Sequence, residues 1–499
     1  MSLHAQITPE TRQRLAFQRR TSTLTSIIVA LLVMALISVV LMIIALASSP
    51  VQLPLPQYRG AVNTPEEKPR IKKTNVHIAK RPSPPSKVLR PTVVSMTTSP
   101  VSVPIPKNPR KEGDFSIGND EGIGGNGFDD GQGDGPGGPS GIPTIIKKRC
   151  SHQDRMERLL DNGGNKECED AVVKALRWLK QTQIQNGSWT NQKPVAMTGL
   201  ALLTFLGHCE TAGSEEFGES VLAGITYLVD VSLKNNGKLA TDLKDDHWCY
   251  EHSIATYALA EAYTLCVGSF GENIPQLKEA IKSAGQFLIN SQHQSGGWDY
   301  AYSEDSDRGG DVSIAGWHLQ ALKACKLTGL DFANLNRCYK KGVDYLERMQ
   351  APSGALGYSS PNGIHGDGTT LAAVGALCFQ IWKSPSNPSA RKAVKFMAQK
   401  MKFGWNTAES DLYGNYYAVQ AMINNGGKEW ENYNSLFRDE VLTNQDDNGS
   451  FKPVGSGQKI NAVGASFAND GGHGRHYRTC LATLILESYY RFLPTSEGK

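Results

Sequence analysis

No Cys-x-x-Cys pair occurs among the nine cysteines of this 499-residue chain, which removes the usual metal-knuckle and dithiol redox signatures. Neither a G-x-x-x-x-G-K-[ST] phosphate loop nor a G-x-S-x-G elbow is present. Nothing therefore points to nucleoside-triphosphate or serine-hydrolase chemistry. The thioester run Cys-Gly-Glu-Gln is also missing. A strong excess of one charge is lacking: 52 Lys and Arg face 48 Asp and Glu, a net +4 that does not argue for nucleic acid. Cys209, Cys266, Cys325 and Cys378 lie on apolar helical stretches, which predicts free buried thiols rather than a disulfide framework.

What is present is unevenly distributed. The run SIIVALLVMALISVVLMIIALA, from Ser26 to Ala47, carries no charge. At about 1.5 Å per residue it crosses a hydrocarbon core of about 30 Å, and it exceeds the apolar region of a cleaved leader. Ala45-Leu46-Ala47 keeps the cleaved-leader reading open. Arg12, Arg14, Arg19 and Arg20 precede the run. Residues 1–23 are therefore expected in the cytoplasm, 24–47 as a single transmembrane helix of the cell inner membrane, and the rest in the periplasm.

Residues 48–144 read as a disordered linker, first Pro/Lys/Arg-rich and then Gly/Asp-rich, with too little apolar surface to offset ordering entropy. Gly124 to Asp129 match one copy of a calcium-binding nonapeptide, but such sites need stacked repeats. A short basic end, one apolar span and a basic Pro-rich spacer resemble the N-terminal half of TonB-type energy-transducing proteins. That likeness implies a proton-driven motor complex as partner.

About 350 residues follow Ile145, enough for a substantial core. From Cys168 the chain repeats one unit six times: an amphipathic helix, a glycine turn, then a more apolar helix. The third unit reads AIKSAGQFLINSQHQSGGW and then DVSIAGWHLQALKAC. The turn glycines are read as Gly187, Gly237, Gly297, Gly357, Gly404 and Gly449. Strand-type alternation of comparable length is absent. A repeat that cannot bury its own apolar face must stack on neighbours, and a helix apolar all round belongs inside. Residues 145–494 are therefore predicted to be all-α, an (α/α)6 toroid of six helical hairpins.

Gln181 with Gly187-Ser188-Trp189, and Gln292 with Gly297-Trp298, resemble the QW motif of the prenyltransferase and squalene-oxidase repeat family. Gln350 with Gly357-Tyr358 and Gln445 with Gly449-Ser450-Phe451 are weaker copies. The resemblance covers about Cys168 to Leu493 and implies a terpenoid cyclase-like toroid. The motif itself reads as a scaffold staple. The glutamine meets orphan carbonyls at a helix end, and its amide stacks on a tryptophan from a neighbouring repeat.

Aligning the inner helices on Thr256, Gly316, Ala373 and Tyr417 puts an acid five or six residues before each: Glu251, Asp311, Asp367 and Asp411. These acids should gather at one end of the barrel, near His247, Tyr250, His252, His365, Tyr413, His473 and Tyr477. The residue types suit a general-acid or cation-handling site, and they equally suit plain helix caps. The family likeness implies Asp311 as the acid, with Glu251 and His252 as further catalytic candidates. It makes Trp298, Trp317, Asp367, Tyr416 and His476 ligand-binding candidates. The chain departs from the cyclase pattern Asp-x-Asp-Asp, offering only Asp311 after Arg308-Gly309-Gly310. His473, His476 and Cys480 lack zinc-ligand spacing, so neither metal nor cofactor is expected.

Two readings stand. One is a cyclase- or transferase-like activity on an apolar, isoprenoid-type ligand. The other is a non-catalytic envelope scaffold that binds a peptide, glycan or protein and is tethered to a motor system. A polysaccharide-acting barrel using Glu251 and Asp311 is a weaker third.

Overall fold

The computed structural model describes residues 149–270, 273–304, 306–455, 467–469 and 471–491. The cytoplasmic, transmembrane and linker assignments lie outside the described residues. Among the described residues no helix is long and apolar enough to cross a membrane.

Among the described residues thirteen α-helices follow in order: α1 His152–Asp161, α2 Lys166–Thr182, α3 Pro194–Gly207, α4 Gly218–Lys234, α5 Trp248–Phe270, α6 Leu277–Asn290 and α7 Val312–Leu327. Then come α8 Leu335–Met349, α9 Thr369–Trp382, α10 Pro388–Lys400, α11 Leu412–Asn425, α12 Gly427–Thr443 and α13 Gly471–Leu486. The two β-bridges recorded among the described residues, Gln350 with Leu356 and Gln445 with Phe451, are isolated.

Apolar pattern sorts the helices into two layers. In α8 the buried residues are Cys338, Gly342, Val343, Tyr345 and Leu346, one stripe of a two-faced helix. In α3 every residue from Val195 to Gly207 is buried, and Pro194 starts the helix where its missing N–H costs nothing. Helices α3, α5, α7, α9, α11 and α13 pack each on the next, and α13 packs back on α3. Outside them α12 meets α2, the last outer helix against the first. The domain is an (α/α)6 toroid.

Glutamine staples carry the closure. Gln292 Nε2 donates to Gly296 O and to Cys338 O of the next outer helix, both at 2.8 Å. Gln350 reaches Ser389 O at 2.9 Å. Gln445 donates to Gly449 O at 3.0 Å and to Ala171 O on α2 at 2.8 Å, joining the sixth repeat to the first. In the first repeat the staple is Gln183, bonded to Gly187 O and Ser220 O at 2.9 Å. This corrects the expectation of Gln181: the reach demands a glycine four residues on, and only Gln183 has it.

The same rule moves two turn glycines. Gly296 and Gly354, not Gly297 and Gly357, take the left-handed conformation, as Gly187, Gly237 and Gly449 do. At Gly187, Gly296, Gly354 and Gly449 a Cβ would strike a backbone carbonyl of the next outer helix, so no other residue fits. Gly404 makes no such approach; its nearest neighbour is Thr407. Trp189 Nε1 donates to Leu179 O and Trp298 Nε1 to Leu288 O, each at 2.8 Å within its own hairpin.

Cys209 is not a free thiol. It forms a disulfide with Cys150, whose Cα lies 5.0 Å away, and so fastens the start of the domain to the end of α3. The other seven cysteines are buried and form no disulfide.

Candidate functional site

The inner helices all present their N-terminal ends on one face, and polar contacts run around it. Lys193 at the start of α3 pairs with Asp245 and stands 4.0 Å from Glu251 of α5. The Tyr250 hydroxyl of α5 donates to Ser313 Oγ of α7 at 3.3 Å. Ser313 Oγ pairs with the Tyr413 hydroxyl of α11 at 2.7 Å. Thr370 of α9 donates to Asp411 Oδ2 at 2.5 Å.

Asp311 stands at this end, at the start of α7. It caps α7: Oδ1 accepts from Ser313 N at 2.7 Å and from Ile314 N at 3.1 Å. The residue has no solvent exposure, and Oδ2 has no partner in hydrogen-bonding geometry. The Tyr358 hydroxyl is a hydrogen-bonding neighbour of this carboxylate, outside strict geometry. Burial drives the Asp311 carboxyl up to about 6, outweighing the Tyr358 hydroxyl, the two capping N–H groups and Arg308, which pull it down. Capping needs one oxygen; the second, like Oε1 of Glu251, is buried without a hydrogen bond.

Above Asp311 sits a small aromatic roof. The Tyr300 and Tyr358 hydroxyls meet at 2.6 Å. The Arg308 guanidinium carbon lies 4.9 Å from the Tyr300 ring centre and 5.7 Å from that of Tyr358. Asp299 holds Arg308 from beneath through Nη2, and through Nε at 3.3 Å. Ser306 also donates to Asp299. His247 stands edge-on to Tyr300, and His365 lies 4.9 Å from Tyr358.

The other candidates divide by layer. Glu251 accepts from Thr241 at 2.9 Å, and its carboxyl is raised mainly by burial. His252 has both ring nitrogens engaged: Nδ1 accepts from Leu239 N at 2.9 Å and Nε2 donates to Ala284 O at 3.2 Å. That fixes its tautomer, and burial lowers it to about 3. His476 donates from Nε2 to Met197 O at 3.0 Å and packs against Trp178 and Trp189, and burial lowers it to about 4. Trp298 packs against His318 between the layers. These three side chains pack between helices. Asp367 is exposed and caps α9 through Thr369.

Trp317 and Tyr416 do meet in the interior, stacked at 5.3 Å. They belong to α7 and α11, which are not ring neighbours, so their contact crosses the barrel. Tyr413 and Tyr417 pack beside them. All four are at most 2% exposed. Among the described residues these four side chains pack together where a ligand chamber was expected.

At the opposite end the interior carries charge that the sequence did not single out. Glu261 accepts from Arg149 at 2.6 Å and from Arg491 at 3.0 Å, all three buried. Glu487 lies in the same network with both carboxylate oxygens unpaired, and burial raises its carboxyl well above the usual range. Among the described residues no group of three or more His, Cys, Asp or Glu is arranged to hold a metal ion.

No family model and no curated protein matches the chain. Solved structures do. A type II terpene cyclase from Scytonema, bound to geranylgeranyl dihydroxybenzoate as substrate, is 14% identical with a TM-score of 0.42, over 65% of this chain and 97% of that one. An α-1,6-mannanase from a Salegentibacter species is 12% identical with a TM-score of 0.47, over 64% and 98%. A protein from Actinoplanes is 15% identical with a TM-score of 0.42, over 64% and 98%. Likeness this distant carries nothing about chemistry, and the toroid stands on its own helix contacts.

Proposed function

We propose that this chain is a membrane-held envelope scaffold whose toroid binds a partner at the Asp311 end, and that it does not cyclise or transfer isoprenoids. The observation that carries this reading is the packed interior. A pocket for a ligand of that size needs on the order of 300–1,000 Å³ lined by apolar walls. Here Trp317, Tyr413, Tyr416 and Tyr417 occupy the barrel instead. The disulfide between Cys150 and Cys209 supports an oxidising compartment, in line with the apolar run at 24–47. The basic spacer supports a link to a proton-driven motor.

The competing reading, acid chemistry on an apolar ligand, rests on the unpaired Oδ2 of Asp311. One pair of measurements separates the two. Full-length protein in detergent is incubated with squalene and with geranylgeranyl diphosphate, and both should be recovered unchanged. In cells, a photo-crosslinking residue replacing exposed His365 should capture envelope protein or glycan, while one replacing exposed Leu436 on the outer wall should not. A cyclised or transferred isoprenoid overturns the scaffold reading, as does equal capture at both positions.

A further inference from the structure

The roof over Asp311 has the composition of a cation site. Two tyrosine rings face one guanidinium at 4.9 and 5.7 Å, and rings at this range attract a cation through their electron-rich faces. Asp299, 3% exposed, supplies the opposing carboxylate. Its carboxyl is pushed up by burial, yet the bonds from Arg308 and Ser306 outweigh this and hold it below its ordinary value. Behind the rings Asp311 offers a second buried carboxylate with one oxygen unpaired. Aromatic walls and two acids thus surround a single positive group.

That group is the chain's own Arg308, and it enters from the surface. The Arg308 side chain is 35% exposed, against 3% for Asp299. A turn about its side-chain bonds carries the guanidinium into water without moving α7. The flanking backbone is preset: Ala301 and Tyr302 are left-handed despite their side chains, and Gly309 and Gly310 follow with positive φ. Backbone held this way occurs where surrounding structure enforces it, commonly at ligand clamps. The rings and Asp299 are fixed by other bonds. Tyr300 and Tyr358 bond each other, Asp299 accepts from Tyr300 N at 2.8 Å, and Tyr358 O accepts from Val312 N.

We infer that this cage is a recognition site for an arginine side chain of a partner peptide, and that Arg308 is a resident occupant the partner displaces. The inference rests on the scaffold reading and supplies its chemistry at the docking point. Arginine is favoured over lysine because its planar group both stacks on a ring and bonds a carboxylate with two parallel N–H groups. Removing Arg308 should leave the cage empty and ready for an added guanidinium.

The experiment compares the full chain with Arg308→Ala and with Arg308→Ala/Asp299→Asn, using N-acetyl-arginine amide as probe and its neutral citrulline counterpart as control. Titration calorimetry should show Arg308→Ala binding the arginine probe at least tenfold tighter than wild type. The citrulline compound should bind neither, and the Asp299→Asn change should abolish the gain. Folding is checked by rescue: low-millimolar guanidinium chloride should raise the melting temperature of Arg308→Ala, while urea at the same concentration should not. Equal binding of both probes, or neither probe binding a variant with wild-type circular dichroism, overturns the cage. Capture at position 365 without arginine binding refutes the cage and leaves the scaffold standing. Arginine binding without capture refutes the scaffold and leaves the cage.

Discussion

Replacing Gln445 with alanine tests whether the ring is closed in solution. The side chain makes two hydrogen bonds, one to its own turn at Gly449 and one to Ala171 across the junction of last and first repeats. A hydrogen bond of this kind contributes about 1 kcal/mol net, so losing both costs about 2 kcal/mol, roughly 30-fold in the unfolding constant. Gln292→Ala is the matched control, because Gln292 makes the same two bonds inside the ring. Urea unfolding of the full chain in mild detergent, followed by tryptophan fluorescence, gives both midpoints. The slope should stay unchanged, since the surface exposed on unfolding is the same. If the junction is shut, the two variants lose equal stability. If Gln445→Ala loses only half as much as Gln292→Ala, the contact with Ala171 is not made and the toroid is an open spiral.

Further outcomes follow from the same geometry. Gly449→Ala should cost roughly 3 kcal/mol, since its φ of +93° disfavours any side chain and a Cβ meets the Lys174 carbonyl; a cost below that of Gln445→Ala would contradict the close approach. Reducing the Cys150–Cys209 bridge, which spans 59 residues, should remove about 4 kcal/mol. Melting with and without reductant checks this, and Cys150→Ser/Cys209→Ser should reproduce the loss. Glu261→Gln should destabilise by about 3–5 kcal/mol because it strands Arg149 and Arg491. Glu487→Gln should cost less than Glu261→Gln, because burial raises that carboxyl and it makes no hydrogen bond to either arginine; an equal or larger loss would contradict this. Asp311 is raised to about 6 from 3.8, so the folded state holds its proton more tightly than the unfolded chain. Its contribution is therefore present below about pH 4 and lost as pH rises through 6, a change of about 3 kcal/mol. The difference in unfolding free energy between wild type and Asp311→Asn should show that slope; a flat difference would refute the raised value.

The repeat was legible because each half-unit must bury a face, and burial writes periodicity into the sequence. Staple register was harder. Gln181 and Gln183 are near neighbours, and only a fixed reach to the turn carbonyl separates them. Comparing Gln292 with Gly296 and Gln445 with Gly449 reveals that reach. The disulfide escaped because Cys150 precedes the first repeat and has no counterpart in the others. A filled barrel and a hollow one ask for the same Ala, Gly and Leu on inner helices. Only the crossing contact of Trp317 with Tyr416 tells them apart, and it depends on which residues point to the axis. Of the acids at inner-helix starts, the sequence put Asp311 in the same position as Asp367 and Asp411. Burial with one oxygen left without a hydrogen bond sets Asp311, and Glu251 with it, apart from Asp367 and Asp411, and no pattern encodes that.

The two ends of the barrel are held by different bonds, and the helix geometry keeps them apart. Tyr250 and Glu261 lie on the same helix, eleven residues apart, which at 1.5 Å per residue separates their levels by about 16 Å. Tyr250 reaches the Asp311 end through Ser313, and Glu261 holds Arg149 at the other. The described chain therefore enters the toroid at the end away from the cage. There Arg149 is bonded to Glu261, its neighbour Cys150 is bridged to Cys209, and Arg155 donates to Arg149 O at 2.8 Å. A pull applied through this entry meets a buried ion pair and a covalent bridge before it reaches any inner helix. The cage residues share none of those bonds. A toroid held in this way can carry tension at one end while Tyr300, Tyr358 and Asp299 keep their spacing at the other.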